Sequence, residues 1–335
     1  MRFVKDTKWE SSELKARMRK ITLAYHKILP PEFTQAANII ISIAQEFIKR
    51  KGEGLNFLPM FLPEYIELFG LHDMKTSVYA FEEITKYTSC EFAVRPFIVK
   101  YEKDMMKQML RWSRHKNQYV RRLATEGCRP RLPWAMALPA FKKDPSFILP
   151  ILENLKTDVS ETVRKSVANN LNDISKDNPQ VVLQIMKKWK GISTQTDWIL
   201  KHAARTLLKS GDEKALKVFS MQTKHQAKIE NFTLDKRKIR VGESVSFAFN
   251  FINAERKAEK FRIEFTVYYV KANKSLSKKV FQIAENVFQP GKAKYFKKML
   301  RFKDLTTRKH YPGEHIIAIL VNGKEQNRQK LILTK

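Results

Sequence analysis

Three acidic residues in the middle of the chain could take part in chemistry: Glu126, Glu161 and Asp197. A carboxylate next to a carbon that develops positive charge stabilises that charge, and it can also orient or deprotonate a water molecule. Glu126 is the first candidate because it lies between Arg122 and Arg129, where a carboxyl group should stay ionised. Each acid also has a structural interpretation: a salt bridge at a helix end for Glu126, a first-turn partner of the helix dipole for Glu161, and an N-cap for Asp197.

Aromatic residues lie near these acids. Tyr119 precedes Glu126 by seven residues, so the two side chains could share one helix face. Aromatic rings stack on nucleobases and hold cations against their faces, which makes Trp198, Trp134 and Trp112 candidate contacts to a base. The alternative for each tryptophan is a place in the hydrophobic core, and the sequence favours that alternative for Trp112 and Trp134.

Cationic residues are dense around the same positions. The 335 residues include 64 Lys and Arg against 34 Asp and Glu, a formal charge of +30, which suits a polyanion such as nucleic acid. Arginine and lysine bind phosphate without reading base sequence, although any one of them could simply belong to a solvated surface. The candidate phosphate ligands are Arg121, Arg122, Arg129, Arg131, Arg164, Lys165, Lys201 and Arg205.

The elements that must position these residues recur along the chain. The segment 118–124 is echoed at 161–167 and, more weakly, at 197–203. Echoes about 36 to 43 residues apart predict a two-helix solenoid repeat of the HEAT kind. In that alignment Gln118, Glu161 and Asp197 line neighbouring helix starts on one side of the solenoid.

Helical periodicity covers residues 1–226, which we predict to form one all-α HEAT-like domain. The pattern predicts continuous helices over 90–113 and 132–155. It also predicts a helix over 160–174, where Asp173 caps or braces the helix end.

From residue 227 the period falls to two, and turn signals such as Asn322-Gly323 separate short alternating segments. About seven strands over 227–335 predict an all-β immunoglobulin-like sandwich whose core holds without a disulfide. Its basic residues near turns or on alternating faces predict a second phosphate-binding surface, with solubilising lysines as the alternative. They are Lys271, Lys274, Lys278, Lys279, Lys297, Lys298 and Arg301.

Other chemistries find little support. No GxGxxG, GxxxxGK[ST], HExxH or GxSxG motif occurs, and Cys90 and Cys128 do not have zinc-site or disulfide-framework spacing. We therefore expect no cofactor and no metal. The charged segment 2–10 lacks the apolar stretch of a signal peptide, and no run approaches a membrane span. We expect a monomeric, cytoplasmic protein that works at the nucleoid and binds no membrane.

Two runs resemble the AlkC-type alkylation-repair DNA glycosylases. They are residues 120–134, VRRLATEGCRPRLPW, and residues 163–176, VRKSVANNLNDISK. The resemblance is strongest over about 110–220, and helical repeats followed by an immunoglobulin-like domain match a subgroup of that family. It implies excision of N3-alkylated bases such as 3-methyladenine, with 3-methylcytosine as a second substrate. It further implies a duplex held on the concave face, no flipping of the base into a pocket, and a C-terminal domain that helps to grip DNA.

The resemblance gives the carboxylates a specific task. A base alkylated at N3 is cationic and leaves readily, so the enzyme needs an anion near the sugar and a positioned water more than a general acid. The first hypothesis is therefore a monofunctional DNA glycosylase that hydrolyses the N-glycosidic bond of alkylated bases in duplex DNA. The alternatives are a non-catalytic HEAT-repeat scaffold for DNA or RNA, and a solenoid that binds an acidic protein.

Overall fold

The structure, a computed structural model, describes residues 9–305 and 309–335. The predicted charged segment 2–10 therefore lies mostly outside the described residues. The chain divides into two compact units, which we call the N-terminal unit (Met1–Ala203) and the C-terminal unit (Ala204–Lys335). Helices give way to strands at Ala227, so two short helices group with the strands. A boundary between functional domains at 226 and 227 remains a prediction.

The described part of the N-terminal unit is helical, with one short 3₁₀ turn at Leu58–Met60. Its α-helices are α1 (Leu14–His26), α2 (Phe33–Lys51), α3 (Phe61–Phe69), α4 (Met74–Ile84), α5 (Val94–Lys100), α6 (Glu102–Trp112), α7 (Gln118–Glu126), α8 (Pro139–Lys143), α9 (Leu149–Leu155), α10 (Glu161–Ile174), α11 (Pro179–Trp189) and α12 (Thr194–Ala203). None of the helices among the described residues is both long and apolar enough to cross a bilayer.

Helices α7, α10 and α12 form one row, in which α10 packs against both neighbours. Behind that row, α6 packs on α7, α9 packs on α7 and α10, and α11 packs on α10 and α12. This two-layer stacking of helix pairs is the HEAT-like architecture that the sequence echoes predicted.

Two predicted helices are wrong in their extent. The helix predicted over 90–113 is interrupted at Tyr101, whose backbone is not helical (φ −122°, ψ 45°) and whose hydroxyl donates to the Leu71 carbonyl at 2.9 Å. A tertiary contact that periodicity does not reveal therefore ends the helix. The helix predicted over 132–155 is instead a loop followed by α8 and α9. Proline is frequent in this stretch, and it begins a helix readily but cannot continue one.

The C-terminal unit holds the predicted immunoglobulin-like sandwich, with eight strands rather than about seven among its described residues. Its elements are α13 (Arg205–Ser210), α14 (Glu213–Val218), β1 (Ala227–Leu234), β2 (Lys238–Arg240), β3 (Ser244–Asn253), β4 (Glu259–Val270), β5 (Leu276–Phe288), β6 (Ala293–Arg301), β7 (Gly313–Val321) and β8 (Lys324–Thr334). One sheet has the order β1-β3-β6 and the other β2-β8-β7-β4-β5. Only the β2–β8 pair is parallel among the described strand pairs.

Phenylalanine rings fill the space between the two sheets. Every second residue of β3 is buried, which puts Phe247, Phe249 and Phe251 in the core against Phe261 and Phe265 of β4. Edge-to-face ring pairs of this kind add about 0.5–1.5 kcal/mol each beyond the area that they bury. Aromatic packing thus holds a sandwich that has no cysteine.

The predicted hairpin at Asn322-Gly323 is confirmed. Val321 pairs directly with Lys324, and both turn residues have positive φ (46° and 77°), as a two-residue type I′ turn requires. Glycine is required at 323 for a second reason, because a Cβ there would lie 2.4 Å from the Cα of Gly211.

Candidate active site

Helices α7, α10 and α12 begin in the same way, which fixes how the repeats align. In each, the carbonyl just before the first turn accepts a hydrogen bond from the amide four residues on, with N···O distances of 3.1, 3.0 and 2.9 Å. The donors are the amides of Arg121, Arg164 and Asp197. Asp197 therefore aligns with the two arginines rather than with Gln118 and Glu161. The third sequence echo was wrong by three residues, because α12 begins at Thr194.

The recurrent arginines Arg121 and Arg164 bind backbone carbonyls of the protein, and we call these two residues and their contacts the arginine ladder. Nη1 of Arg121 and Nη1 of Arg164 each donate to the two carbonyls five and six residues upstream, at 2.8–3.0 Å. Arg121 also makes a two-point ion pair with Asp158 through Nε, at 2.6 Å, and Nη2, at 3.1 Å. These guanidinium groups fix the chain that enters each helix, which explains why they recur. Their predicted phosphate contacts remain untested.

Glu126 lies at the end of α7 and is only 5% exposed. Its Oε1 accepts a hydrogen bond from Nη1 of Arg129 at 2.6 Å, and its Oε2 accepts one from the Ser166 hydroxyl on α10. Nη2 of Arg122 lies 3.9 Å from Oε1. The salt-bridge interpretation of Glu126 is therefore confirmed as a contact, and both carboxylate oxygens are held in place.

Arg129 joins Glu126 to a second buried acid. Its Nε and Nη2 both lie 2.9 Å from Oδ2 of Asp173, whose other oxygen lies 3.1 Å from Nζ of Lys176. Burial lowers the pKa of Arg129, but the two carboxylates outweigh burial and leave that pKa raised. We call Glu126, Arg129, Ser166 and Asp173 the carboxylate network. It links the middle and the end of α10 to the end of α7.

A fully buried arginine shapes the loop that carries Arg129. Nε of Arg95 donates to the Met136 carbonyl at 2.7 Å, and Nη1 donates to the Gly127 carbonyl at 2.8 Å. Burial lowers the pKa of Arg95 to about 10. Because Arg95 holds both ends of residues 127–136, it fixes the path of the chain next to the carboxylate network. Arg131, in the same loop, makes a two-point ion pair with Asp177 at 2.6 and 2.8 Å.

The four aromatic candidates occupy different surroundings. Trp112 is in the core, 1% exposed, and donates to Glu82 at 2.7 Å. Trp134 is 74% exposed with φ +63°, so the sequence preference for a core position is wrong for this residue. Trp198 is 39% exposed and stacks on His202 with ring centroids 5.3 Å apart. Tyr119 is half-buried at the start of α7.

The other two candidate acids have partners of their own, separate from those of Glu126. Glu161 is exposed in the first turn of α10 and pairs with Lys165 at 2.6 Å, and that hydrogen bond is the main cause of its lowered pKa. Ser166, which contacts Glu126, follows Glu161 by five residues, or about 7.5 Å along the helix axis. Asp197 accepts a hydrogen bond from the Gly191 amide at 2.9 Å and pairs with Lys190 at 3.2 Å. It is the fourth residue of α12, so its interpretation as an N-cap is wrong, and it braces the loop before the helix instead.

In each of the aligned helices, three positions at i, i+3 and i+7 spacing share one helix face. We call them the outward stripe: Tyr119, Arg122 and Glu126 of α7, Thr162, Lys165 and Asn169 of α10, and Gln195, Trp198 and His202 of α12. Eight of these nine side chains are half-buried or exposed, and the ninth is Glu126. Glu126 is also the one acid among them, and the equivalent positions of the neighbouring repeats are Asn169 and His202.

The remaining basic candidates are spread over both units. Lys201 is half-buried on α12, and Arg205 is half-buried as the first residue of α13. In the sandwich, Lys278 and Lys279 lie on the edge strand β5, and Lys297 and Lys298 lie on the edge strand β6. These four are exposed, as are Lys271, Lys274 and Arg301. The described residues contain no cluster of three or more potential metal ligands.

Sequence reasoning missed two residues that shape the carboxylate network. Ser166 had a usable signal, because it occupies the repeat position of the buried Leu123, where a polar residue is out of place. Arg95 had none, since its contacts are with backbone carbonyls more than thirty residues away.

This architecture defines a class: a HEAT-like helical repeat protein with an appended immunoglobulin-like domain. A family model described as "DNA alkylation repair enzyme" matches residues 76–207, and one described as "Uncharacterised protein YhaZ, C-terminal Ig-like domain" matches residues 228–335. The Bacillus subtilis (strain 168) protein YhaZ, itself called uncharacterized, is 43% identical over 316 residues, which are 94% of this chain and 86% of that protein.

A solved structure resembles the chain over nearly its whole length. It is the Pseudomonas fluorescens alkylpurine DNA glycosylase AlkC bound to DNA containing an abasic site analog, with a TM-score of 0.92 and 33% identity over 98% of this chain and 89% of that one. The chain therefore belongs to the AlkC-type DNA alkylation repair family with a C-terminal immunoglobulin-like domain.

Proposed function

We propose that this protein is a DNA glycosylase that hydrolyses the N-glycosidic bond of N3-alkylated bases, 3-methyladenine first and 3-methylcytosine second, in duplex DNA. The observation that carries the proposal is the place of Glu126, which is the one acid on an outward stripe of cationic, polar and aromatic side chains. The AlkC glycosylase that resembles the chain is bound to DNA with an abasic site analog, which is the kind of site that base excision leaves.

The chemistry follows from how Glu126 is held. An N3-alkylated base leaves as a neutral molecule, and positive charge moves to the sugar as the bond breaks. A carboxylate fixed through both oxygens by Arg129 and Ser166 needs little reorganisation to stabilise that charge and to orient water for attack. Because the acid acts at the sugar, the base need not be flipped into a pocket.

The other side chains of the stripe would position DNA. Arg122 and Lys165 can exchange their carboxylate partners for backbone phosphates, and the exposed ring of Trp198 can stack on a base. The exposed lysines of β5 and β6 would give the sandwich a separate phosphate-binding surface. We further propose that the protein acts as a monomer at the bacterial nucleoid, without metal or cofactor.

The test is release of free base from methylated duplex DNA, resolved by chromatography, with DNA binding measured in parallel. We expect wild type to release 3-methyladenine. We expect Glu126→Gln to lose about 10²–10³ in rate while it still binds DNA. Glu161→Gln and Asp197→Asn test the two other candidate acids in the same assay. Glu213→Gln is a matched change at an exposed residue of α14.

The second candidate function is a non-catalytic DNA-binding scaffold. It is favoured by one observation, that Glu126 and Glu161 each already have a cationic partner. Tight binding of methylated duplex by wild type with no base released would establish the scaffold and overturn the glycosylase. Release that persists in Glu126→Gln would instead move the catalytic role to another acid.

A further inference from the structure

A pair of adjoining cavities lies beside the loop that carries Arg129. The first has a volume of about 310 Å³ and is lined by Lys15 and Arg19 of α1, Glu64 and Glu67 of α3, and Met136 of the loop, among others. The second has a volume of about 260 Å³. Lys15, Met18 and Phe92 line both cavities. Volumes of this size are near the lower end for small-molecule sites.

The second cavity is aromatic. Its walls include Trp9, Phe57, Phe92 and Trp134, and the Trp134 ring is 74% exposed. Nζ of Lys15 hydrogen-bonds to the Trp134 carbonyl and lies 4.8 Å from the centre of the Phe92 ring, so it ties the loop to α1. The exposed rings of Trp134 and Phe57 favour a flat ligand, since planar bases stack on such rings.

The first cavity provides an unused hydrogen-bond acceptor. Its Glu64 is satisfied by Nε of Arg19 and by the Thr22 hydroxyl, both at 2.7 Å. Glu67 is different, because no side chain among the described residues gives it a hydrogen bond or an ion pair. A carboxyl group can accept two or more N–H donors, and an ionised one attracts a cation.

The charges around Glu67 also indicate a carboxyl group that could bind a ligand. Burial and the neighbouring Glu64 raise the pKa of Glu67 to about 7, although Arg19 and Lys15 oppose them. Glu67 is half-buried beside this second acid, and perturbed carboxyl groups in a cleft are often found at ligand sites. A ligand that carries an amine would give the Glu67 carboxyl group a hydrogen-bond donor.

From this geometry we propose that the two cavities form a binding site for a free, planar nucleobase that carries an amine or a positive charge. The ring lies against Trp134, and its amine donates to Glu67. The inference rests on the proposed function to the extent that the base is of the kind released from alkylated DNA. Met136 and Gly127 are tied together by Arg95, so the cavity wall and the carboxylate network share one loop.

The test is isothermal titration calorimetry of the full chain with 3-methyladenine. The matched ligand is 3-methylhypoxanthine, which has a carbonyl where 3-methyladenine has its amine. We expect wild type to bind the amine-bearing base, and to bind 3-methylhypoxanthine more weakly. Glu67→Gln should weaken binding about 10- to 100-fold, the usual effect of losing a hydrogen bond to a charged group. Trp134→Ala, a change at an exposed side chain, should weaken it as well.

Two results would overturn the inference: no heat of binding for wild type at millimolar 3-methyladenine, or Glu67→Gln that binds the base as tightly as wild type. Glu213→Gln controls for the loss of one negative charge elsewhere. Base release by wild type separates the two proposals. If wild type releases base from DNA but binds none, only the cavity inference fails. If it binds the free base but releases none, only the proposed glycosylase fails.

Discussion

The two ends of helices α7 and α10 differ in a way that separates architecture from candidate chemistry. At their N-terminal ends the same contacts recur from one repeat to the next, as in the carbonyl contacts of Arg121 and Arg164. At the ninth residue of each helix, which is the end of α7, the repeat is broken, because α7 has Glu126 where α10 has Asn169. The contacts that both helices share are therefore the ones that stacking requires. The position of Glu126, where α7 differs from α10, is where α7 could have a chemical role that its neighbour lacks.

The largest expected effect is on stability at the C-terminal ends. Arg129→Met removes the one guanidinium that pairs with both Glu126 and Asp173, two buried carboxylates. Loss of one partner from a buried ion pair costs about 3–5 kcal/mol. Urea denaturation followed by circular dichroism measures that loss. Arg131→Met is the matched control: its ion pair with Asp177 is more exposed, so its cost should be at most about 1 kcal/mol.

The next effect tests whether the broken repeat carries the chemistry. In the double variant Glu126→Asn and Asn169→Glu, the carboxylate moves one helix along the outward stripe but loses Arg129 as its partner. We expect release of 3-methyladenine to fall about 10²–10³-fold, as in Glu126→Gln, because a carboxylate without fixed donors is not preorganised. Activity near the wild-type level in this variant would show that any acid on the stripe is sufficient.

A smaller effect is expected at the N-terminal ends. Asp158→Ala removes the carboxylate that pairs with Arg121 and accepts a hydrogen bond from the Ser160 amide. Leaving these donors without an acceptor costs about 1–3 kcal/mol of folding free energy. Base release per folded molecule should be unchanged, because the ladder supports stacking and does not touch the carboxylate network. A drop in that specific activity would contradict the separation of the two ends.

The smallest effect concerns pH at the exposed start of α10. The hydrogen bond and charge of Lys165 lower the pKa of Glu161 below 4.5, so the folded state favours the ionised carboxylate. That contribution is present above pH 4.5 and is lost as the pH falls through the lowered pKa. Glu161→Gln should therefore reduce Tm slightly at pH 7, and the difference should vanish in more acidic buffer. A Tm difference that grows on acidification would contradict the pairing.

Much of the site could be predicted from residue types, but its geometry could not. The cationic surroundings of Glu126 in the sequence correctly indicated an ion pair, because Arg122 and Arg129 lie one helical turn away on either side. The sequence did not show that Ser166 and Asp173 complete the network, since these contacts join residues about forty positions apart. The third echo was misaligned because polarity at a helix start is a weak guide to register.

The sequence by itself determined the two-part architecture. Helical and alternating periodicities are local properties, and so are the repeats of arginine and small apolar residues and the Asn322-Gly323 turn. Only the tertiary structure decided that Tyr101 ends a helix and that Trp134 is exposed while Trp112 is buried. It also decided that Arg95 holds the loop 127–136 and that Glu67 lines a cavity beside that loop. The burial and the partners of a side chain depend on residues that are distant in sequence. The sequence around a glutamate or a tryptophan therefore does not show which neighbours surround it in the fold.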